Sequence, residues 1–195
     1  MKKPILIFES LLGLTFFAMA YISLFDLYSV ILSKFLKQWA SMKKRRQSQP
    51  VSALDIAAYI LANHTRNTPI AAWKMHILVY YCQVYQLISE GIPFFNEKIM
   101  ATQKGIMIHE LCALHYNQLY IGDSSKGNLN HLSLKQIDII GEVMKKYGNK
   151  TLEELGQLIQ LEAPWKKARQ ETTDLRVSVE IIPISILELY NQGNL

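Results

Sequence analysis

The chain has 195 residues, which is enough for one ordinary domain with an additional segment. Its residues are 50% hydrophobic and 19% charged, so it can build an apolar core, and long disorder is not expected. The net charge of +5 is too small to indicate nucleic-acid binding by itself. Cys82 and Cys112 are too few for a disulfide framework, and we expect two reduced thiols, as in a cytosolic protein.

Residues 1–41 are predicted to be a separate hydrophobic segment that begins with an apolar helix. Within residues 4–25 the one charged residue is Glu9, and this length is close to what a membrane-spanning helix requires. Basic residues follow at Lys37 and at 43–46. Because basic residues stay on the cytoplasmic side, an inner-membrane anchor here would leave the remaining domain in the cytoplasm.

Two other interpretations of this segment stay open. Ala18-Met19-Ala20 has the small-x-small form of a signal-peptide cleavage site. Met42, followed by basic residues, is typical of a cytosolic start just ahead of the domain, in which case residues 1–41 are not part of the working protein. Residues 42–51 are basic and polar, and they are predicted to be a linker.

Residues 52–192 are predicted to form a mainly α-helical domain, a compact bundle of about six short helices with at most one minor pair of short strands. Ser52 and Asp55 predict a capping box at the start of the first helix. Thr68 as the cap and Pro69 at the first helical position predict the start of a central helix that ends at Gly91.

The second half of the domain is predicted to continue as helices separated by loops. Residues 98–107 are interpreted as a short extended piece, and residues 108–120 as a helix. Residues 177–182 are predicted to be extended, and Pro183 is predicted to start the last helix. Two more capping boxes are expected, formed by Ser133 with Gln136 and by Thr151 with Glu154.

No catalytic motif stands out, so we expect neither an enzyme nor a cofactor. His109 and His115 are six residues apart, about 240° round a helix, whereas a zinc protease motif needs two histidines on one face. His109 and Cys112 share a face but would need two further ligands, so no metal site is expected. His76 lies among apolar residues and is predicted to be a hydrogen-bonded core residue, not a catalytic base.

Three short motifs carry the strongest functional signal. The first, within residues 68–81, contains Lys74 and ends in Tyr80-Tyr81. The second is Gly91-Ile92-Pro93-Phe94-Phe95, and the third is Glu162-Ala163-Pro164-Trp165-Lys166. In this order they resemble the SocA-like Panacea antitoxin domain, a phage-associated family of small bacterial proteins. The resemblance covers about residues 52–192.

The chain departs from this family in one motif. Where the family has Ala-Trp-x-x-Gly-Pro-Val, residues 101–107 have Thr102 in place of the Trp and Ile106 in place of the Pro. The chain is therefore interpreted as a divergent member.

The resemblance implies a protein-binding module that neutralises a cognate toxin by direct contact, without a catalytic centre. One SocA-type member is an adaptor that delivers its toxin to a protease, so a protease complex is a second partner that the resemblance implies. For Trp165 a structural corner is preferred over a partner-facing anchor, because aromatic side chains serve cores more often than interfaces. The partner-binding candidates are Lys74, Tyr80, Tyr81, Phe94, Phe95, Trp165 and Lys166.

The alternative function is a DNA-binding transcriptional regulator of a toxin–antitoxin or prophage locus. It is motivated by the basic residues 43–46 and by the sequence pI of about 9.1. Four adjacent cations beside a linker are more often solvated or membrane-facing. We therefore do not expect nucleic acid to be the main partner.

Overall fold

A computed structural model describes residues 28, 30–34, 36–38, 50–65, 68–122, 126–174 and 176–191. The chain divides into two compact units, Met1–Arg45 and Arg46–Leu195. In the first unit the described residues, from 28 to 38, are helical. No helix within the described ranges is long and apolar enough to cross a membrane.

Several features that the sequence predicts fall outside the described residues. They are the apolar helix at 4–25, the Ala18-Met19-Ala20 motif, the start at Met42 and the basic residues 43–46. The anchor, the signal peptide and the over-long start therefore all stay predictions.

The second unit is mainly helical with a small amount of antiparallel sheet, which confirms the predicted fold class at that level. Its helices are α1 (Ala53–His64), α2 (Ala72–Glu90), α3 (His109–Leu114), α4 (Leu134–Tyr147), α5 (Leu152–Leu161), α6 (Ala163–Gln170) and α7 (Pro183–Asn191), with a 3₁₀ turn at Leu129–His131. Its strands are β1 (Ile70–Ala71), β2 (Ile99–Thr102), β3 (Gly105–Ile108), β4 (Tyr120–Ile121) and β5 (Val179–Ile181).

The strands form two antiparallel sheets, so the predicted single pair of short strands underestimates the strand content. One sheet has the order β3-β2-β5, with Ile99 opposite both Ile108 and Ile181. The hairpin between β2 and β3 turns at residues 103–104, and Gly105, which follows the turn, has a φ of 130° that favours glycine. The extended interpretations of residues 98–107 and 177–182 are thus confirmed.

The second sheet explains two boundaries that the sequence analysis predicted wrongly. Ile70 of β1 pairs with Ile121 of β4, and the Ala72 amide donates to the Leu119 carbonyl at 2.9 Å. Residues 70–71 are therefore extended, and α2 starts at Ala72 instead of at Pro69. For the same reason the helix predicted over 108–120 ends at Leu114, because the chain must turn back to supply β4.

Local capping signals were read correctly from the sequence. All three predicted capping boxes are formed, with the N-cap side chain and the side chain three residues later bonding each other's backbone amides. Gly91 closes α2 in the left-handed conformation, with φ of 69°. Pro183 opens α7 as predicted.

The core is organised around α2, which is buried on nearly every side. Among the described residues, four polar side chains are buried with the apolar ones: Asp55, His76, Gln83 and Gln86. Cys82 is fully buried, Cys112 is half-buried, and neither forms a disulfide. Burial raises the pKa of the Cys82 thiol, so it stays protonated in the core.

The amide side chain of Gln83 holds the turn that follows α2. Its oxygen accepts from the backbone amides of Phe94 and Phe95, at 2.7 and 3.1 Å. Its nitrogen donates to the Phe95 carbonyl at 3.2 Å. One side chain therefore satisfies three backbone groups of a buried turn that has no strand partner.

Candidate functional site

Four of the predicted partner-binding residues belong to the core. Tyr80, Tyr81, Phe94 and Phe95 are 0%, 2%, 3% and 1% exposed, and Tyr81 also lines the cavity described below. The two phenylalanines are carried inward by the turn that Gln83 holds, and Tyr80 lies on the central helix. A partner cannot reach the rings of Tyr80, Phe94 and Phe95 in this structure. These rings pack in the core, which explains why the motifs have large apolar residues at these positions.

Of the two lysine candidates, Lys74 joins two helices and Lys166 lies on the surface. The Lys74 ammonium donates to the Gly148 carbonyl at 2.7 Å, which joins α2 to the end of α4. Burial lowers the pKa of Lys74, and the charge of Glu154 partly opposes this. Lys166 is exposed on α6 and accessible to a partner.

Trp165 is a half-buried corner between α6 and the β2–β3 hairpin. Its indole N–H donates to the Thr102 carbonyl at 3.1 Å, and its ring packs against the core. The extended residue at this corner is Glu162, with φ of −74° and ψ of 140°. The position supports the structural interpretation of Trp165.

The third motif also brings Glu162 to the floor of a cavity of about 460 Å³. The Tyr80 hydroxyl donates to Glu162 Oε2 at 3.2 Å. Burial raises the pKa of Glu162, while the two tyrosines and the charge of Lys146 act in the opposite direction. Burial and the adjacent carboxylate raise the pKa of both tyrosines, so they stay neutral donors.

Aromatic rings form the walls of this cavity. Tyr81 and Tyr147 are stacked, with centroids 4.0 Å apart and planes 1° from parallel. Tyr85 meets Tyr147 edge-on at 6.3 Å, and Tyr190 of α7 also lines the cavity. We call this site the Tyr–Glu cavity, with Tyr81, Tyr85, Lys146, Tyr147, Glu162 and Tyr190 as its defining residues.

Lys146 lies at the rim with its ammonium over two of these rings. Its Nζ is 5.1 Å from the centroid of Tyr147 and 5.7 Å from that of Tyr85. Side-chain hydrogen bonds to Tyr85 and Tyr147 raise the pKa of Lys146. The aromatic rings of the cavity thus hold a cation in this structure, the ammonium group of Lys146.

Two of these six residues belong to the sequence motifs: Tyr81 as a predicted partner-binding residue and Glu162 as a member of the third motif. The cavity itself was not predicted. Tyr81 and Tyr85 are four residues apart on α2, a spacing that places them on one helical face. Lys146, Tyr147 and Tyr190 come from the ends of other helices, so no local pattern connects them to Glu162.

A second surface feature is the turn between α3 and β4. Its side chains Tyr116, Leu119 and Tyr120 are 75%, 81% and 65% exposed. The backbone of this turn is fixed, because the Leu119 carbonyl accepts from the Ala72 amide and Tyr120 pairs with Ala71. We call residues 116–120 the apolar turn.

The histidines do not assemble a metal site within the described ranges. No group of three or more His, Cys, Asp or Glu residues in those ranges is placed to hold a metal ion. His109 Nδ1 lies 3.7 Å from Glu110 Oε2, and His115 Nδ1 lies 3.4 Å from Gln118 Oε1. His76 is a hydrogen-bonded core residue, as predicted, with Nδ1 accepting from the Ile108 amide at 3.0 Å.

Asp55 and His131 form a carboxylate–imidazole pair, with 3.0 Å between Oδ2 and Nδ1. The other imidazole nitrogen is 3.0 Å from the Asn128 side-chain amide. Asp55 also accepts from the backbone amides of Ser52 and Asn128. Both nitrogens of His131 are thus engaged, and the cluster holds the 127–131 loop against the start of α1.

No family model, curated protein or solved structure matches this chain.

Proposed function

We propose that this chain is an antitoxin-like protein-binding module that neutralises a cognate toxin by direct contact. The apolar turn carries this proposal, because three large apolar side chains within five residues are mostly exposed. Exposed apolar clusters of this kind mark sites of protein association. Tyrosine is also among the residues that contribute most to binding energy at interfaces.

The rigidity of the turn adds to this argument. Tyr120 and the Leu119 carbonyl are held by the short sheet and by the start of α2, while the side chains face outward. A surface that is ordered before binding loses less conformational entropy when a partner docks. The resemblance of the motifs supplies the class of partner, a toxin encoded beside the chain.

The same proposal extends to delivery and location. We propose that the module acts in the cytoplasm, with residues 4–25 as an inner-membrane tether, and that it can pass its toxin to a protease complex. Fractionating cells that express a tagged full-length chain tests the tether. Recovery of the chain in the soluble fraction would contradict the proposed tether without affecting the binding proposal.

The binding proposal is tested by co-expressing the full-length chain with the product of the neighbouring gene. We expect rescue of growth and a complex that survives purification. Replacing Tyr116 and Leu119 together by serine should weaken the complex about thirtyfold or more, since hot-spot truncations cost about 2 kcal/mol or more. The thermal unfolding of the free protein should stay close to that of the wild type, because both side chains are exposed.

Leu134 provides the matched control. It is 80% exposed, but it lies at the start of α4 outside the apolar turn. Leu134→Ser should retain rescue and binding. If the wild-type chain gives neither rescue nor a complex, the antitoxin proposal is contradicted. If L134S weakens the complex as much as the double serine variant does, the apolar turn is not the docking surface. Binding to promoter DNA that weakens steeply with salt would support the regulator instead.

A further inference from the structure

The Glu162 carboxylate lacks a cationic partner of its own. The carboxylate accepts from the neutral hydroxyl of Tyr80 at 3.2 Å. None of the ion pairs formed within the described part of the chain includes Glu162. A carboxylate withdrawn from water is strongly stabilised by a paired cation, and its burial is costly without one. The more distant charge of Lys146 therefore stabilises the Glu162 carboxylate only in part, without a direct ion pair.

The walls above this carboxylate are suited to the same kind of ligand. The faces of tyrosine rings carry negative electrostatic potential and attract ammonium and guanidinium groups. Tyr81, Tyr85, Tyr147 and Tyr190 line the same cavity as Glu162. An aromatic wall with a carboxylate at its base can select a cation over a neutral group of the same shape.

We propose that the Tyr–Glu cavity is a binding site for an alkylammonium or alkylguanidinium group, whose charge pairs with Glu162 while its alkyl chain lies against the tyrosine rings. The volume of about 460 Å³ is within the range of small-ligand cavities, about 300–1,000 Å³, and accepts one such group. The cation comes either from a free amine or from an arginine or lysine side chain of a partner protein. The two sources present the same chemistry to the cavity.

Lys146 then acts as an internal competitor. Its ammonium lies over the rings of Tyr85 and Tyr147. Its charge acts on Glu162, but the ion pairs of the described residues do not include a Lys146–Glu162 pair. Lys146 is exposed and its side chain is long, so it can move outward when a ligand enters. A ligand cation must displace it and overcome its repulsion, and removing this charge should strengthen binding.

This site is separate from the apolar turn and does not depend on the proposed toxin binding. The probe is butylguanidinium, titrated into the full-length chain and followed by calorimetry and by the NMR resonances of the tyrosine rings. Its neutral isostere butylurea is the control ligand. We expect saturable binding of butylguanidinium, with shifts of the ring resonances of Tyr81, Tyr85 and Tyr147, and no saturable binding of butylurea.

Two variants test the roles of the charges. Glu162→Gln keeps an acceptor for Tyr80 and should weaken butylguanidinium binding about tenfold to a hundredfold. Lys146→Met keeps the alkyl stem of an exposed residue and should strengthen binding about threefold to tenfold. Glu153→Gln makes the same charge change as the first variant at an exposed position of α5 that does not line the cavity, and it should bind like the wild type.

The outcomes that overturn the proposal are specific. Absence of saturable binding by the wild-type chain would overturn it, and so would equal binding of butylurea. Unchanged or weaker binding in K146M would also overturn it, and this variant stays informative if E162Q does not fold.

A blocked peptide with a central arginine separates the two sources of the cation. Binding of the peptide at least as tight as that of butylguanidinium indicates a partner side chain. Exclusion of the peptide with retention of the free probe indicates a small amine.

Discussion

The imidazole of His76 and the backbone of Ile108 are joined by a hydrogen bond of 3.0 Å, in which the Ile108 amide donates to Nδ1. The bond attaches β3, an edge strand of the three-stranded sheet, to the central helix α2. It requires Nδ1 to be unprotonated, since a protonated nitrogen cannot accept. Burial, assisted by the charge of His115, lowers the pKa of His76 to about 4.

We predict that the protein loses stability in acid through this residue. The unfolded chain takes up a proton at His76 near the ordinary pKa of 6.5, whereas the folded chain stays neutral down to about 4. The unfolded state therefore binds more protons between these values, and the free energy of unfolding should fall by about 3 kcal/mol as the pH is lowered through this window. Urea denaturation at several pH values measures this slope.

His76→Asn is the control for the pH effect. The asparagine oxygen can accept from the Ile108 amide but does not titrate in this range. The slope between pH 6.5 and 4 should be flatter in H76N than in the wild type by the contribution of one proton. Identical slopes in the two proteins would assign the acid sensitivity to other groups.

Gln83 and Gln86 form a matched pair of buried amides on α2. Gln83→Leu would leave three backbone groups of Phe94 and Phe95 unpaired, and we expect a loss of about 3 kcal/mol or more. Within the described ranges, the Gln86 side-chain oxygen is the buried side-chain polar atom without a hydrogen-bond partner. Gln86→Leu should therefore remain within about 1 kcal/mol of the wild type. Chemical denaturation of both variants compares them, and equal losses would contradict this account.

Gly127 and Gly141 should respond to alanine in opposite directions. A Cβ at Gly127 would lie 2.3 Å from the Leu54 carbonyl oxygen and 2.6 Å from Ala58 Cβ. Gly127→Ala must therefore push the loop off α1, and we expect a loss of about 2 kcal/mol. Gly141 lies inside α4 with nothing within 4 Å of the added atom, so Gly141→Ala should stabilise by about 0.5–1 kcal/mol. Thermal unfolding distinguishes the two signs.

The corner at Trp165 can be tested against Trp73. Trp165→Phe removes the N–H that donates to the Thr102 carbonyl and reduces packing at the hairpin. Trp73 is also half-buried, beside the His76 ring, and its indole N–H makes no hydrogen bond within the described ranges. Trp73→Phe therefore loses ring volume alone. We expect W165F to lose about 1 kcal/mol more than W73F in equilibrium unfolding, and a reversed order would contradict the corner interpretation.

The features that could be predicted from the sequence are those that depend on neighbouring residues. A capping box joins residues three apart, so Ser133 with Gln136 and Thr151 with Glu154 could be identified from the sequence alone. Gly91 likewise ends a helix through its own conformational freedom. The mainly helical class follows from several such local decisions that agree with one another.

The features that could not be predicted depend on pairing between distant segments. Thr68-Pro69 has the form of a helix start, but the pairing of Ile70 with Ile121 keeps the following two residues extended. The cavity shows the same limit, since Tyr80 and Glu162 are 82 residues apart. A motif can indicate that such residues matter without showing which of them face solvent and which face one another.

The way Gln83 holds the turn at residues 93–95 imposes an order on folding. The amides of Phe94 and Phe95 have a side chain of α2 as their partner, so the turn cannot become protected until that helix is in place. In the native ensemble these two amides exchange with solvent only when the segment separates from the helix. The protection of these two amides therefore reports on the docking of the turn against the central helix.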